Sequence, residues 1–253
     1  ISLYKNIMGG KRAVCMVIKG NAYGHGLAEI AQMTNQIEAL DFLSVFSLKE
    51  ALLARKAGSV KPILVMGDAG DAPLKEAVHA NIHITVDQID LLYACNDIGM
   101  RYGYVFPVHL KIETGLNRFG VPLNELSLYR TTIDVLPYVA LKGISTHFAQ
   151  KSNIEDPFLQ EQQAHFLYAK EQFFKDKRSL LVHATTTIDS VINTHAAFNM
   201  VRVGLGLYGY LQNRAVLKFV QNRYPACILK PVLAWKARII RIKEIKTGET
   251  VGY

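Results

Sequence analysis

The sequence predicts an α/β fold: a (β/α)8 TIM-type barrel over residues 1–210, then a linker and the beginning of a β-rich second domain over 211–253. Three observations carry this reading. Short apolar runs rich in β-branched residues recur eight times up to Gly209, helically spaced stretches separate several of them, and the rhythm then changes to alternation. Continuous apolar runs are how buried parallel strands read, and strands interleaved with helices imply a parallel sheet. Eight such units in about 210 residues fit a barrel, with a doubly wound open sheet as the alternative.

In chain order the strand candidates are "VCMVIK" (14–19), "DFLSVFS" (41–47), "PILVMG" (62–67), "NIHITV" (81–86), "PVHLKIET" (107–114), "LKGISTHF" (141–148), "SLLVHAT" (179–185) and "MVRVGLGLYG" (200–209). Between them, "LKEALLARKAG" (48–58) puts its apolar residues on one helical face and Gly58 at the C-terminal cap. "DAPLKEAVHA" (71–80) offers Asp71 as an N-cap and Pro73 in a first turn. "DQIDLLYACNDIG" (87–99) starts at Asp87 and ends near Gly99, and "DPFLQEQQAHFLYAKEQFFKDK" (156–177) is the longest helical candidate. "VLAWKARIIRIKEIKTGETVGY" (232–253) alternates and contains the turn signal "KTGE", as strands entering a second domain would.

Composition excludes several function classes. A chain of 253 residues that is 50% hydrophobic and 20% charged can bury a large core. The net charge is +8, but the basic residues are spread out. The densest runs, "KDKR" (175–178) and "KARIIRIKEIK" (236–246), read as solvated surface and an exposed strand face rather than a nucleic-acid site. Cys15, Cys95 and Cys227 form no CxxC and no even-numbered framework, which points to a reducing compartment. No apolar run is long enough to span a membrane and no signal peptide is read, so the expected location is cytoplasmic. Ile1 and Tyr253 both look like cuts through structure, and a fragment of a longer protein is expected.

The chemistry-bearing residues gather where the strands end. Lys19, Tyr23 and His25 follow the first strand, and Lys111, Glu113 and Arg118 follow the fifth in "KIETGLNRFG" (111–120). His147 ends the sixth, the hydroxyls of "HATTT" (183–187) end the seventh, and Arg202 stands in the eighth beside Gly204 and Gly206. In a barrel these positions converge on one mouth. One lysine, hydroxyls, glycine amides and arginines are what a phosphorylated aldehyde needs: an amine for a Schiff base, donors for the phosphate, and a partner for the ring nitrogen. His79 and His83 are four apart with no third ligand, so no metal site is read. Ser145 lies near His147 without a G-x-S-x-G elbow, which argues against a serine hydrolase.

Together "VIKGNAYGHG" (17–26), "KIETGLNRFG", "STHFA" (145–149), "FNMVRVGLGLYG" (198–209) and "TGETVGY" (247–253) strongly resemble alanine racemase, in collinear order along the whole chain. The resemblance implies a pyridoxal 5'-phosphate enzyme with an N-terminal barrel and a C-terminal β-domain. It further implies a homodimer with shared active sites and a role supplying D-alanine for cell-wall peptidoglycan. Lys19 would carry the cofactor and act as the base for the D-isomer. Tyr23, Thr187, Gly204 and Leu205 would hold the phosphate, His147 would lie against the pyridine ring, and Arg202 would face its nitrogen. Arg118 would touch the substrate carboxylate, and Lys111 matches a lysine that is carbamylated in some members and positions that arginine. Tyr253 would be the base for the L-isomer, working in the partner subunit's site. Thr186 and Thr187 replace the usual Asn-Ser, and Glu113 stands where Asp is common. Other readings are a racemase of serine, lysine or arginine, a decarboxylase of the same barrel type, and a non-catalytic pyridoxal-phosphate carrier. "AYGHG" argues against the decarboxylase, and the start of a second domain against the carrier.

Overall fold

In the computed structural model, which describes residues 1–7, 10, 12–67, 69, 73–149, 156–174, 180–184, 198–211, 214–225 and 228–251, the topology is that of a barrel. The strands are β1 (Ala13–Val17), β2 (Phe42–Val45), β3 (Ile63–Val65), β4 (Ile82–Val86), β5 (Phe106–Lys111), β6 (Val139–Ser145), β7 (Leu181–His183) and β8 (Met200–Val203). Their order is β7-β6-β5-β4-β3-β2-β1-β8, with every neighbour parallel. Each strand pairs with the next in sequence and the last returns to the first, which an open doubly wound sheet does not do. Asn199 spans the remaining seam. Its backbone N–H donates to the Val182 carbonyl (3.1 Å), its side-chain oxygen accepts from Val182 N–H (2.6 Å), and its amide donates to the Leu180 carbonyl (2.8 Å).

Alternation along each strand divides the apolar residues. Val14, Met16, Leu43, Val45, Ile63 and Val65 join the main core beneath the helices, while Cys15, Leu64 and Met200 form a small separate group. Burial pushes the Cys15 and Cys95 thiols up to about 12, so neither offers a thiolate near neutral pH. Cys227 lies outside the described residues.

The helices are α1 (Ser2–Ile7), a single turn α2 (Lys19–Tyr23), α3 (Leu27–Met33), α4 (Leu48–Lys56), α5 (Ile89–Tyr102), α6 (Leu126–Val135), α7 (Pro157–Phe174) and α8 (Arg214–Arg223). A capping box opens α4: Ser47 Oγ accepts from Glu50 N–H at 3.3 Å, and the Glu50 carboxylate accepts from Ser47 N–H at 3.4 Å. Gly58, left-handed at φ +91, follows its cap Ala57. The 71–80 stretch forms only a 3₁₀ turn, Leu74–Ala77, because Pro73 and Val78 on either side are extended and His79 is left-handed; Asp71 lies outside the described residues. Gly99 does not end α5. It is buried inside the helix, where a Cβ would meet the Tyr104 carbonyl at 2.4 Å, and the helix runs on to Gly103 at φ +63.

Every strand but β4 ends sooner than the run read for it, and two of these ends form turns at the cavity. After β1 the chain enters α2, in which Gly20, Asn21 and Ala22 all have left-handed backbone angles and Tyr23 has φ 54. Each non-glycine residue there costs roughly 1–2 kcal/mol. Asn21 offsets part of this by accepting from Leu27 N–H at the start of α3 (2.8 Å). Asn21→Ala is therefore expected to lower stability by about 1–2 kcal/mol, read as a shifted denaturant midpoint with unchanged slope. After β8 the run expected to reach Gly209 breaks at Gly204 (φ −105, ψ −106) and becomes a 3₁₀ turn, Leu205–Tyr208.

Residues 228–251, where the alternation from 232 reads as strands, contain no helix or strand, and all but Leu229 are exposed, Trp235 by 93%. The turn read from "KTGE" is present, with Glu249 N–H donating to the Lys246 carbonyl at 3.1 Å. Among the described residues no helix is long and apolar enough to cross a membrane.

Candidate active site

The carboxyl ends of the strands surround a cavity of about 370 Å³. Lys19, Tyr23, Lys111, Arg118, His147, Arg202, Gly204 and Leu205 all line it. Thr186, Thr187 and Tyr253 lie outside the described residues.

Lys19 does not end the apolar strand. It is half-buried and opens α2 at the cavity wall. Glu50 holds this turn to the next strand loop, accepting from Gly20 N–H at 2.7 Å and Phe46 N–H at 2.8 Å. The left-handed turn carries the Tyr23 ring to within 5.4 Å of Tyr208, and Tyr208 stacks on His25 at 4.5 Å. The Tyr23 hydroxyl sits over Gly204, where a Cβ would lie only 2.5 Å from it. Glycine at 204 thus leaves room for hydroxyl and backbone to face the same point.

The loop after β5 closes on itself. Val121 N–H donates to the Lys111 carbonyl (2.8 Å) and Glu113 N–H to the Val121 carbonyl (3.0 Å). Gly120 (φ +137) makes the closure possible, since a Cβ there would meet the Glu113 backbone at 2.5 Å. The exposed Arg118 is thereby brought to the cavity mouth. Thr146 Oγ1 donates to the Ile112 carbonyl (2.9 Å), so it accepts from Thr114 Oγ1 (2.8 Å) and ties this loop to the end of β6.

Lys111 is buried, with its Nζ 4.9 Å from the centre of the Phe119 ring. Burial, then Arg202 and Arg118, lower its pKa to about 8 against the opposing pull of Asp87 and Glu113. Burial, then Arg202, Arg118, Lys111 and Lys19, lower His147 to about 3, so its imidazole is neutral near pH 7. Arg202, in β8, is 8% exposed. It donates through one terminal nitrogen to the His183 carbonyl (2.9 Å) and to His183 Nδ1, and through the other to the Thr146 carbonyl (2.8 Å). His183 and Thr146 are site residues that sequence reasoning missed. Both stood in quoted stretches, each at or just past the end of its strand.

Four cationic side chains and no carboxylate are among the residues described as lining the cavity. Cations converging on a shared, partly dry space favour an anionic occupant. A phosphorylated aromatic aldehyde fits this donor set: an amine, a hydroxyl over a glycine backbone, a neutral imidazole, and a guanidinium that can only donate.

Comparison with known proteins agrees with this chemistry. The family model described as alanine racemase, N-terminal domain, matches residues 1–212. The chain is 31% identical over 258 residues to the alanine racemase of Synechocystis sp., covering 99% of this chain and 66% of that protein. It is 32% identical over 243 residues to the alanine racemase of Geobacillus stearothermophilus, covering 95% and 60%. A solved alanine racemase from Clostridium difficile 630, in complex with cycloserine, superposes with a TM-score of 0.81 at 26% identity, covering 91% of this chain and 62% of that one. A histidine racemase from Leuconostoc mesenteroides shares the fold at 22% identity and a TM-score of 0.72. The chain thus spans about three fifths to two thirds of the length of these relatives.

Proposed function

The chain belongs to the alanine racemase N-terminal domain family, and from that premise we propose that the protein interconverts L-alanine and D-alanine with pyridoxal phosphate seated in the cavity. The observation that carries this reading is the convergence of Lys19, Tyr23, Arg118, His147, Arg202 and Gly204 on one space. When bound, pyridoxal phosphate supplies an electron sink for the substrate's α-carbon.

Racemisation removes an α-proton from one face and returns a proton to the other, so it needs two acid–base groups on opposite sides. Lys19 is the group on the D-isomer's side and the cofactor's covalent anchor. Tyr253 is the group on the L-isomer's side, contributed across a homodimer by a second, β-rich domain that begins within 211–253. Tyr23, Thr187 and the backbone at Gly204 and Leu205 would hold the phosphate, and neutral His147 would lie against the ring. Arg202 would face the ring nitrogen as a donor that keeps its own proton, so it would not protonate that nitrogen and would moderate the sink, limiting side reactions such as transamination. Arg118 orients the substrate carboxylate, with Lys111, free or carbamylated, behind it. The protein is cytoplasmic, and its product is D-alanine for peptidoglycan.

The test is chiral product analysis of the full-length protein, loaded with pyridoxal phosphate, against a panel of L-amino acids. D-alanine is expected to dominate. Dominance of D-serine, D-lysine or D-arginine would move the substrate, and absence of α-proton exchange from every amino acid would leave only cofactor binding. In the same assay Tyr253→Phe is expected to slow α-proton exchange from L-alanine by about 10²–10⁴-fold and to spare exchange from D-alanine. Equal losses in both directions would argue against two bases.

A further inference from the structure

Behind Arg202 three histidines form a continuous hydrogen-bonded row through the barrel interior. His183 Nε2 lies 2.8 Å from His109 Nδ1, and His109 Nε2 lies 3.0 Å from His83 Nδ1. His183 Nδ1 receives the Arg202 guanidinium. The row climbs from β4 through β5 and β7 to β8 and passes over β6. It can do so because the β6 residue level with His109 is Gly143, where a Cβ would stand 2.5 Å from His109 Nδ1. Between the pairs Val108–Leu141 and His109–Gly143, β6 carries one extra residue, Lys142, which sets the register at this point.

We infer that this row is a tautomer lock whose function is to position Arg202, with His83, His109 and His183 as positioning residues and Gly143 as the opening that lets them meet. A guanidinium has only N–H donors and keeps its proton. His183 Nδ1 must therefore accept, which puts the His183 proton on Nε2. That proton is donated to His109 Nδ1, so the His109 proton is on Nε2 as well, and His83 Nδ1 accepts it in turn. Adding a proton to any of the three rings would turn an acceptor into a donor facing a donor. A single arrangement, with every ring neutral, satisfies all three contacts.

The environment favours the same state. His109 and His183 are almost fully buried, and burial, then Arg202 and the neighbouring imidazoles, hold both far below the usual histidine range. At the lower end His83 is brought to about 4 by burial and by the charge of Lys142, and it meets the edge of Phe42 at 5.2 Å. A neutral ring with a fixed acceptor keeps one terminal nitrogen of Arg202 in place, while the Thr146 carbonyl holds the other (2.8 Å). The partners described for the guanidinium are thus a neutral ring and two carbonyls, which fix its plane from behind.

The consequence for turnover rests on the proposed function, since that reading assigns Arg202 to the ring nitrogen; the lock itself does not. Its test is a multiple-bond ¹⁵N–¹H correlation spectrum of the full-length protein with ¹⁵N-labelled histidine, assigned with His83→Gln, His109→Gln and His183→Gln. Three neutral rings protonated on Nε2 are expected at pH 7. A proton on Nδ1 of His109 or His183, or a doubly protonated ring in the row, overturns the lock. In the second arm, His109→Leu and Gly143→Ala are each expected to release His183 from its single tautomer. Each is also expected to lower kcat by about tenfold with KM for alanine within twofold. His109→Gln, which keeps an acceptor and a donor, is expected to recover most of kcat. Unchanged His183 signals and kcat in both variants overturn the positioning role. If either variant fails to fold, the wild-type spectrum still decides the lock. A protein that shows the expected tautomers but racemises nothing would retain the lock and lose the proposed function.

Discussion

Lys19→Ala is expected to remove the visible absorption band that pyridoxal phosphate gives the full-length protein, and to lower alanine racemisation by at least about a hundredfold. The competing candidate for the anchor is inside the same cavity. Lys111 also lines it, and its pKa of about 8 makes its amine easier to deprotonate than an ordinary lysine's. The proposed function favours Lys19 on two grounds. Lys111 is buried at the end of β5 with its Nζ over the face of Phe119, and it is flanked by Glu113 and the self-closing 111–121 loop. Lys19 opens α2 at the cavity wall, and the same turn carries Tyr23, whose hydroxyl lies over Gly204. Under the proposed function, a cofactor with its phosphate held between Tyr23 and Gly204 would present its aldehyde to Lys19, which shares a single turn with Tyr23. Lys111→Ala is accordingly expected to keep the band and weaken substrate binding. A band that survives Lys19→Ala and disappears in Lys111→Ala would exchange the two assignments.

All eight strands were legible because a parallel barrel buries both faces of its strands, and such segments announce themselves as apolar runs. Their ends were not. "VIKGNAYGHG" reads as a strand meeting a lysine, yet Asn21, Ala22 and Tyr23 adopt left-handed backbone. Nothing in their side chains requires that conformation; packing against Tyr208 and the Glu50 contact to Gly20 impose it. Gly99 misled for a related reason, since a glycine chosen for close approach to Tyr104 looks in sequence like a helix stop. The site was legible where residues lie at strand ends. It was hidden where they lie deeper, because His83, His109 and His183 become neighbours only once the register of β4 through β7 and the gap at Gly143 are known. The same register parts His83 from His79, which instead packs edge-on against Tyr104.

Arg202→Leu is expected to cost about 2–4 kcal/mol of stability and to abolish tight binding of pyridoxal phosphate. The guanidinium satisfies the carbonyls of His183 and Thr146 and the Nδ1 atom of His183, all buried. An isobutyl group satisfies none of them. Arg202→Lys separates charge from shape. If the cavity needs only a cation, lysine should restore both binding and stability. If it needs the planar fork, lysine should fail, because one ammonium on a flexible stem cannot serve β7 and the end of β6 in a single plane. Failure of the lysine variant is expected, with stability still lowered by about 1–2 kcal/mol. A second readout is independent of binding. His147 is held at about 3 by burial and, after that, most strongly by the charge of Arg202. Removing that charge favours the imidazolium, so the His147 titration should move up towards the ordinary histidine range in Arg202→Leu and stay low in Arg202→Lys. Were it to stay low in both, the cations around the cavity would not share one field, and the case for an anionic occupant would lose its electrostatic basis.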